Sequence, residues 1–242
     1  MGIRKIFIIV IGLGCLSLQL NAQNEMSIKN SLTEKQQSIV QIAAFTAKGE
    51  LELLKPALNE GLDAGLTVNQ IKEVLVHLYA YCGFPRSIRG LQTFMEVLDE
   101  RKARGIMDEL GADATLVQGD KSSYERGKEN LEKLTGVPQD RPLTGYAAFA
   151  PIIEIFLKEH LFAAIFERDV LTFAERQLVT ISVISTIGKA EPMLRSHMNI
   201  CLNVGHTPEQ LQHFVTIIKS TIGKREAKAA QKVLDEIFKS RS

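Results

Sequence analysis

Residues Gly65–Leu98 read GLTVNQIKEVLVHLYAYCGFPRSIRGLQTFMEVL, and residues Gly205–Phe238 read GHTPEQLQHFVTIIKSTIGKREAKAAQKVLDEIF. In the first stretch Ile71, Val74, Leu75, Leu78 and Cys82 recur at intervals of three and four, which places them in one stripe along an α-helix. Thr67, just after Gly65, supplies an N-cap, and Gly83 with Pro85 predicts a break or bend. A second helix then carries Leu91, Phe94, Val97 and Leu98. Adding 140 to each number gives Leu211, Phe214, Val215, Ile218 and Ile222, a cap at Thr207, a bend at Gly223, and then Leu234, Ile237 and Phe238. Only Leu91 loses its apolar character, becoming Gln231.

The match runs further back. Leu54, Leu58 and Leu62 correspond to Leu194, Met198 and Leu202 at the same offset, and Ile39, Ile42 and Ala43 to Leu178, Ile181 and Ser182 at 139. One nearly constant offset predicts a duplication, and the absence of sustained period-two alternation predicts an all-α fold of tandem duplicated helical units. We place a first unit at residues 23–103, a linker rich in Gly, Asp and Pro at 104–144 with a short helix over Tyr124–Leu134, and a second unit at 145–242. Each unit is too small to bury its own stripe, so the two must pack on each other and on a neighbouring subunit.

The chain opens with Arg4 and Lys5 before an apolar run, Ile6–Leu18, that is too short to span a bilayer. It reads as a signal peptide over residues 1–22, cut between Ala22 and Gln23, so the protein is expected to be exported, periplasmic or secreted, with no stable membrane insertion after cleavage. Cys15 is the alternative lipidation point, although Gly12-Leu13-Gly14 departs from the usual pattern before it. Losing Arg4 and Lys5 with the leader takes the 29 basic residues to 27 against 28 acidic ones, a formal charge of −1 in place of +1. With charges that alternate in sign and no basic block, no nucleic-acid partner is expected. Cys82 and Cys201 remain in the mature chain, without a C-x-x-C pair or a zinc spacing.

The stretch LNEGLDAGLTVNQIKEVLVHLYAYCGFPRSIRG resembles the helix pair of the carboxymuconolactone decarboxylase family, and FLKEHLFAAIFERDVLTFAERQLVTIS with EPMLRSHMNICLNVGHTPEQL is similar to the second unit of its two-domain members. The resemblance covers roughly residues 30 to 238 and implies trimers or hexamers, a small-molecule substrate and no cofactor. The family's other chemistry, the alkyl hydroperoxidase of the D type, uses C-x-x-C-x-x-x-H. Aligned on His197, this chain has Ala190 and Met193 where the two cysteines belong, and neither can do redox chemistry.

Decarboxylation of a lactone acid leaves an electron pair in the carbonyl system and then requires a proton on carbon. An imidazole can move that proton, and a guanidinium can hold a carboxylate or an oxyanion. His197 is the first catalytic candidate, with Arg195 as substrate binder; its counterpart in the first copy is Ala57, so the scaffold does not demand histidine there. His160 is the second, because Glu159-His160 matches the family's segment; Arg168 matches it too and is read as a substrate contact. Arg176 is read as structural, paired with Glu175 on a helix face. At the bend Tyr81 and Arg86 are read as pocket-lining, since the second copy has Thr221 and Glu226 there, while Arg89 is expected on a solvated edge. His77, His206 and His213 are too scattered to be metal ligands.

With these residues, the resemblance implies cofactor-free decarboxylation or proton transfer on a small lactone or carbonyl acid. One alternative is a thiol-dependent peroxidase using Cys201, one helical turn from His197, or Cys82; both lie on apolar stripes, where inert thiols are the rule. The other is a non-catalytic helical binding or assembly protein.

Overall fold

A computed structural model describes residues 30–241, and among them the chain forms helices and no strand. The leader read at residues 1–22, its cleavage site and Cys15 lie outside the described residues. The helices are α1 (Glu34–Lys48), α2 (Leu51–Asp63), α3 (Val68–His77), α4 (Tyr79–Ala103), α5 (Ser123–Thr135), α6 (Gly145–Phe149), α7 (Pro151–Phe156), which runs into a π-helix (Leu157–Ile165), α8 (Phe173–Ile187), α9 (Glu191–Asn203), α10 (Pro208–Thr221) and α11 (Lys224–Arg241).

The duplication is visible down to the caps. Thr67 opens α3 and Thr207 opens α10 with the same reciprocal box, the threonine oxygen accepting from the glutamine amide three residues on while that glutamine accepts from the threonine N–H. Thr33 and Thr172 do the same for α1 and α8, with Gln36 and Glu175. Both bends sit at glycine: Gly83 interrupts α4 at φ 81° and ψ 161°, and Gly223 separates α10 from α11 at φ 137°. No other residue adopts the Gly83 conformation without strain.

The counterparts α1 and α8 pack against each other at the centre, and each is flanked by helices of both halves: α3 of the first half lies on α8, and α10 of the second lies on α1. One apolar core therefore draws on both copies, with Ile39, Leu58, Leu75 and Phe94 from one and Leu178, Met198, Phe214 and Leu234 from the other. The two units read in the sequence are interlocked rather than stacked.

The connection between the halves is an extended strap. Its Glu109 and Leu110 carbonyls accept from the first two amides of α3, at 2.9 Å each, and Asn69 binds the Gly111 and Ala112 carbonyls. A Cβ at Gly111 would lie 2.2 Å from the Thr67 hydroxyl, so only glycine lets the strap pass that cap. Beyond the strap, Thr115 binds Asp169 and α5 docks on the π-helix, building a second apolar cluster from Leu134, Phe162, Phe166 and Ile200, with Tyr79 and Tyr81 at its edge. The contact is tight at Gly127, where a Cβ would come within 1.8 Å of the Lys158 carbonyl. Lys158 itself is buried and held by Glu154 and the Tyr124 hydroxyl.

One part of the surface is unusually apolar. Along α6 and α7, Phe149 is 91% exposed and Tyr146, Ile152 and Phe156 are each more than half exposed. No described helix is long and apolar enough to cross a membrane.

Candidate functional site

One group of buried polar side chains gathers where α3 meets α8. Glu73 and His77 are four residues apart and share one face of α3; Arg176 and Thr180 are four apart and share the facing side of α8. Arg176, with none of its surface exposed, donates to Glu73 at 3.0 Å and to His77 Nδ1 at 3.2 Å, and also to the Arg168 carbonyl. Arg168 reaches the other Glu73 oxygen with Nε at 2.8 Å. One buried carboxylate is thus held between two guanidiniums of the opposite half.

This arrangement fixes the histidine. Because arginine can only donate, His77 Nδ1 must carry the lone pair, so its Nε2–H donates to Thr180 Oγ1 at 2.9 Å, and Thr180 in turn donates to the Arg176 carbonyl at 3.0 Å. Burial first, and then the Arg176 charge, hold the His77 pKa well below its ordinary value. His77 is a neutral structural link.

Gln177, one residue beyond Arg176, turns toward α9 instead. Its amide oxygen accepts from His197 Nδ1 at 2.9 Å, which leaves Nε2 of that ring as a free lone pair. His197 keeps one edge accessible, yet so much protein surrounds it that burial pulls its pKa down to about 4. Tyr81 stands between the two histidines, its ring centroid 5.6 Å from His77 and 5.9 Å from His197. Its hydroxyl is buried beside Thr180 without reaching hydrogen-bond geometry, and burial raises its pKa, so the phenol stays protonated. Arg176 Nε and Gln177 Nε2 are likewise buried without a partner.

Of the catalytic and substrate-binding candidates read in the sequence, His197, Tyr81 and Arg168 border this seam, and Arg195, Arg86 and His160 do not. Arg195 pairs with Glu236 of α11, on another side of α9, because positions two apart on a helix do not face the same way. Arg86 lies over Gly49 at the C-terminus of α1, where a Cβ would sit 1.6 Å from its Nη1. His160 is exposed and contacts the hydroxyl of Tyr79, which stacks on Phe84 with centroids 4.5 Å apart. Arg176 does not pair with Glu175, whose carboxylate belongs to the Thr172 cap. Both thiols are pushed toward the protonated form by burial, Cys82 up to about 11 and the fully buried Cys201 further, which disfavours the thiolate a peroxidase uses. His206 and His213 lie apart from His77, on the Ala174 carbonyl and the Leu32 amide.

Glu73, His77, Gln177 and Thr180 escaped the sequence reading. The signal was present, since the counterparts of Glu73, His77, Arg176 and Gln177 are His213, Ile217, Gln37 and Ser38. The halves disagree at each of these positions, as they do at His197. Clefts of about 500 Å³, around Lys121, Arg126 and Glu167, and of about 790 Å³, around Asn59, Arg101 and Arg104, lie elsewhere on the surface.

The model of the Carboxymuconolactone decarboxylase family matches this chain twice, over residues 18–94 and 155–236. Over 121 residues the chain is 27% identical to the 4-carboxymuconolactone decarboxylase of Acinetobacter baylyi, a stretch that is 50% of this chain and 90% of that protein. An uncharacterized protein of Methanocaldococcus jannaschii is also 27% identical, over 81 residues that make up 34% of this chain and 76% of the relative.

Proposed function

Since the chain belongs to the carboxymuconolactone decarboxylase family, we propose that it is an enzyme that moves a proton at carbon next to the carbonyl of a small lactone or carbonyl acid, with loss of carbon dioxide where the substrate carries a suitably placed carboxylate. The observation that carries this reading is the His197 imidazole: neutral, oriented by Gln177 through Nδ1, packed edge-on to Tyr81, and left with a free Nε2 on its accessible side. In the decarboxylating case the bond from carbon to the carboxylate breaks, carbon dioxide leaves, and the electron pair is delocalised into the lactone carbonyl as a dienolate. Carbon then takes a proton that solvent supplies and His197 Nε2 carries. An anionic substrate beside the ring raises the imidazole pKa from its low resting value toward neutrality, which lets the same group accept a proton and hand it on. In the enolising case His197 removes the proton instead. No metal or organic cofactor has a part in either step.

The test is turnover of a panel of small carboxylated lactones and β-keto acids in deuterium oxide, with carbon dioxide release and deuterium incorporation at carbon followed by NMR. His197→Ala is expected to lower both by about 100-fold or more. Unchanged turnover in that variant would falsify the assignment.

A further inference from the structure

One stretch of the described chain is apolar on all its sides. Helix α7 buries no residue: Ile152, Ile153, Ile155 and Phe156 are exposed, and just before it Tyr146 and Phe149 of α6 stand out further. Its one charge, Glu154, is held by the buried Lys158. A helix that is apolar all round belongs in an interior, so the arm Tyr146–Phe156 calls for a cover from outside the chain.

A second apolar face lies on α4. Past the bend at Gly83, Phe84, Ile88, Leu91 and Met95 follow at intervals of four, three and four in one stripe, and all but Leu91 are about half exposed or more. Their counterparts in α11 are Lys224, Lys228, Gln231 and Asp235, so the scaffold accepts a polar surface there. The two faces run together, because Tyr79 stacks on Phe84 and its hydroxyl meets His160, four residues beyond Phe156.

The flanking charges choose the occupant. Among the described residues Arg141 and Glu159, on either side of the arm, have no ionic partner, and neither has Asp99, one turn beyond Met95; Arg89 donates only to the Gln92 amide oxygen, while Glu96 and Glu100 are taken by Lys55. An arm laid antiparallel on an α4 helix brings Arg141 toward Asp99 and Glu159 toward Arg89, whereas a parallel arm sets like charges together. The area is also of the right size. At about 150–250 Å² for a whole aromatic side chain, the exposed shares of Tyr146, Phe149 and Phe156 come to roughly 300–500 Å², and the isoleucines of the arm with the α4 stripe bring one copy to about the 800 Å² that each partner of a standard interface contributes.

We propose that the arm of one copy of this chain lies antiparallel along α4 of a second copy, and that the second copy returns the contact, in a two-fold dimer. Phe149 then meets Met95 of the other copy, and Phe156 meets Ile88.

Sedimentation velocity and cross-linking of the whole chain test this. The wild-type protein is expected to form a dimer. Ile88→Lys with Met95→Asp, which gives α4 the residues that α11 already carries, should weaken it about 100-fold or more; Glu159→Lys should weaken it about threefold, and adding Arg89→Glu should restore it. Met95→Cys and Phe149→Cys proteins, mixed, allowed to exchange and oxidised in the native state, should give a disulfide-linked dimer that neither gives alone. A wild-type protein that stays a single chain at all concentrations, or an association that survives Ile88→Lys with Met95→Asp, overturns the proposal. A link formed by Phe149→Cys alone sets arm against arm and overturns it too, as does wild-type binding to phosphatidylglycerol vesicles without a dimer in solution, which makes lipid the cover.

Discussion

Glu73 and Arg176 meet across the interface of the two halves at 3.0 Å, both almost wholly withdrawn from water. A buried pair is expensive to form and more expensive to break from one side, because the survivor keeps its charge without compensation. Arg176→Met and Glu73→Leu are each expected to cost about 3 kcal/mol or more, whereas the two combined should lie closer to the wild type than the two single effects added. Urea unfolding of the four proteins checks this through the coupling energy; strict additivity would show that the pair is not the unit.

Acid should weaken the fold through its histidines. His197 has a folded pKa of about 4 against an ordinary 6.5, and His77 is shifted in the same direction. Between those values the unfolded chain binds protons that the folded chain refuses, so stability is complete above about pH 6.5 and declines as pH falls toward 4. His197 contributes on the order of 2 kcal/mol to that loss once its accessible edge is allowed for. Stability measured at pH 7 and pH 4.5 should differ less in His197→Gln than in the wild type. An equal difference in the two proteins would refute the assignment.

Neither thiol should behave as a nucleophile. With Cys82 pushed up to about 11 from an ordinary 9.0, its thiolate fraction near neutral pH is about 100-fold below that of a free cysteine. Iodoacetamide labelling of the native protein at pH 7.5 should be slower by a similar factor, and slower still at Cys201. Replacing both by alanine is expected to leave turnover within about twofold.

Gly127 is the hinge pin of the second apolar cluster. Gly127→Ala drives a methyl into the Lys158 backbone and should loosen α5 from the π-helix, raising amide hydrogen exchange over Ser123–Thr135 while α1 and α8 stay protected. Unaltered exchange in α5 would mean that the close approach can relax.

The apolar ridge of α6 and α7 exposes Tyr146, Phe149, Ile152 and Phe156 together, and clustered exposed apolar side chains mark interaction surfaces. Self-association through that ridge is expected, and sedimentation velocity should show a larger species that Phe149→Ser with Phe156→Ser converts to the single chain. A wild-type protein that sediments as one chain at all concentrations contradicts it.

The helices were legible because their signals are local and repeated. Three-and-four spacing marked the stripes, Thr67 and Thr207 marked two of the starts, and Gly83 and Gly223 marked the bends. A nearly constant offset then told the duplication. The seam was less legible because it is assembled from helices a hundred residues apart. Arg176 looked like the partner of its neighbour Glu175, yet its charge is met by Glu73 from the other half. Arg195 looked like a companion of His197, but two residues along a helix turn a side chain away. His77 seemed isolated among scattered histidines, since only the packing of α3 on α8 supplies its partners. The π-helix left no sequence signal that we recognised.

The strap over residues 106–121 ties together halves that already embrace each other. A proteolytic nick there should yield two pieces that remain married, and separately expressed fragments divided at that point should regain function only when mixed. Severing the tie would turn a single polypeptide into a two-component system whose activity reports reunion.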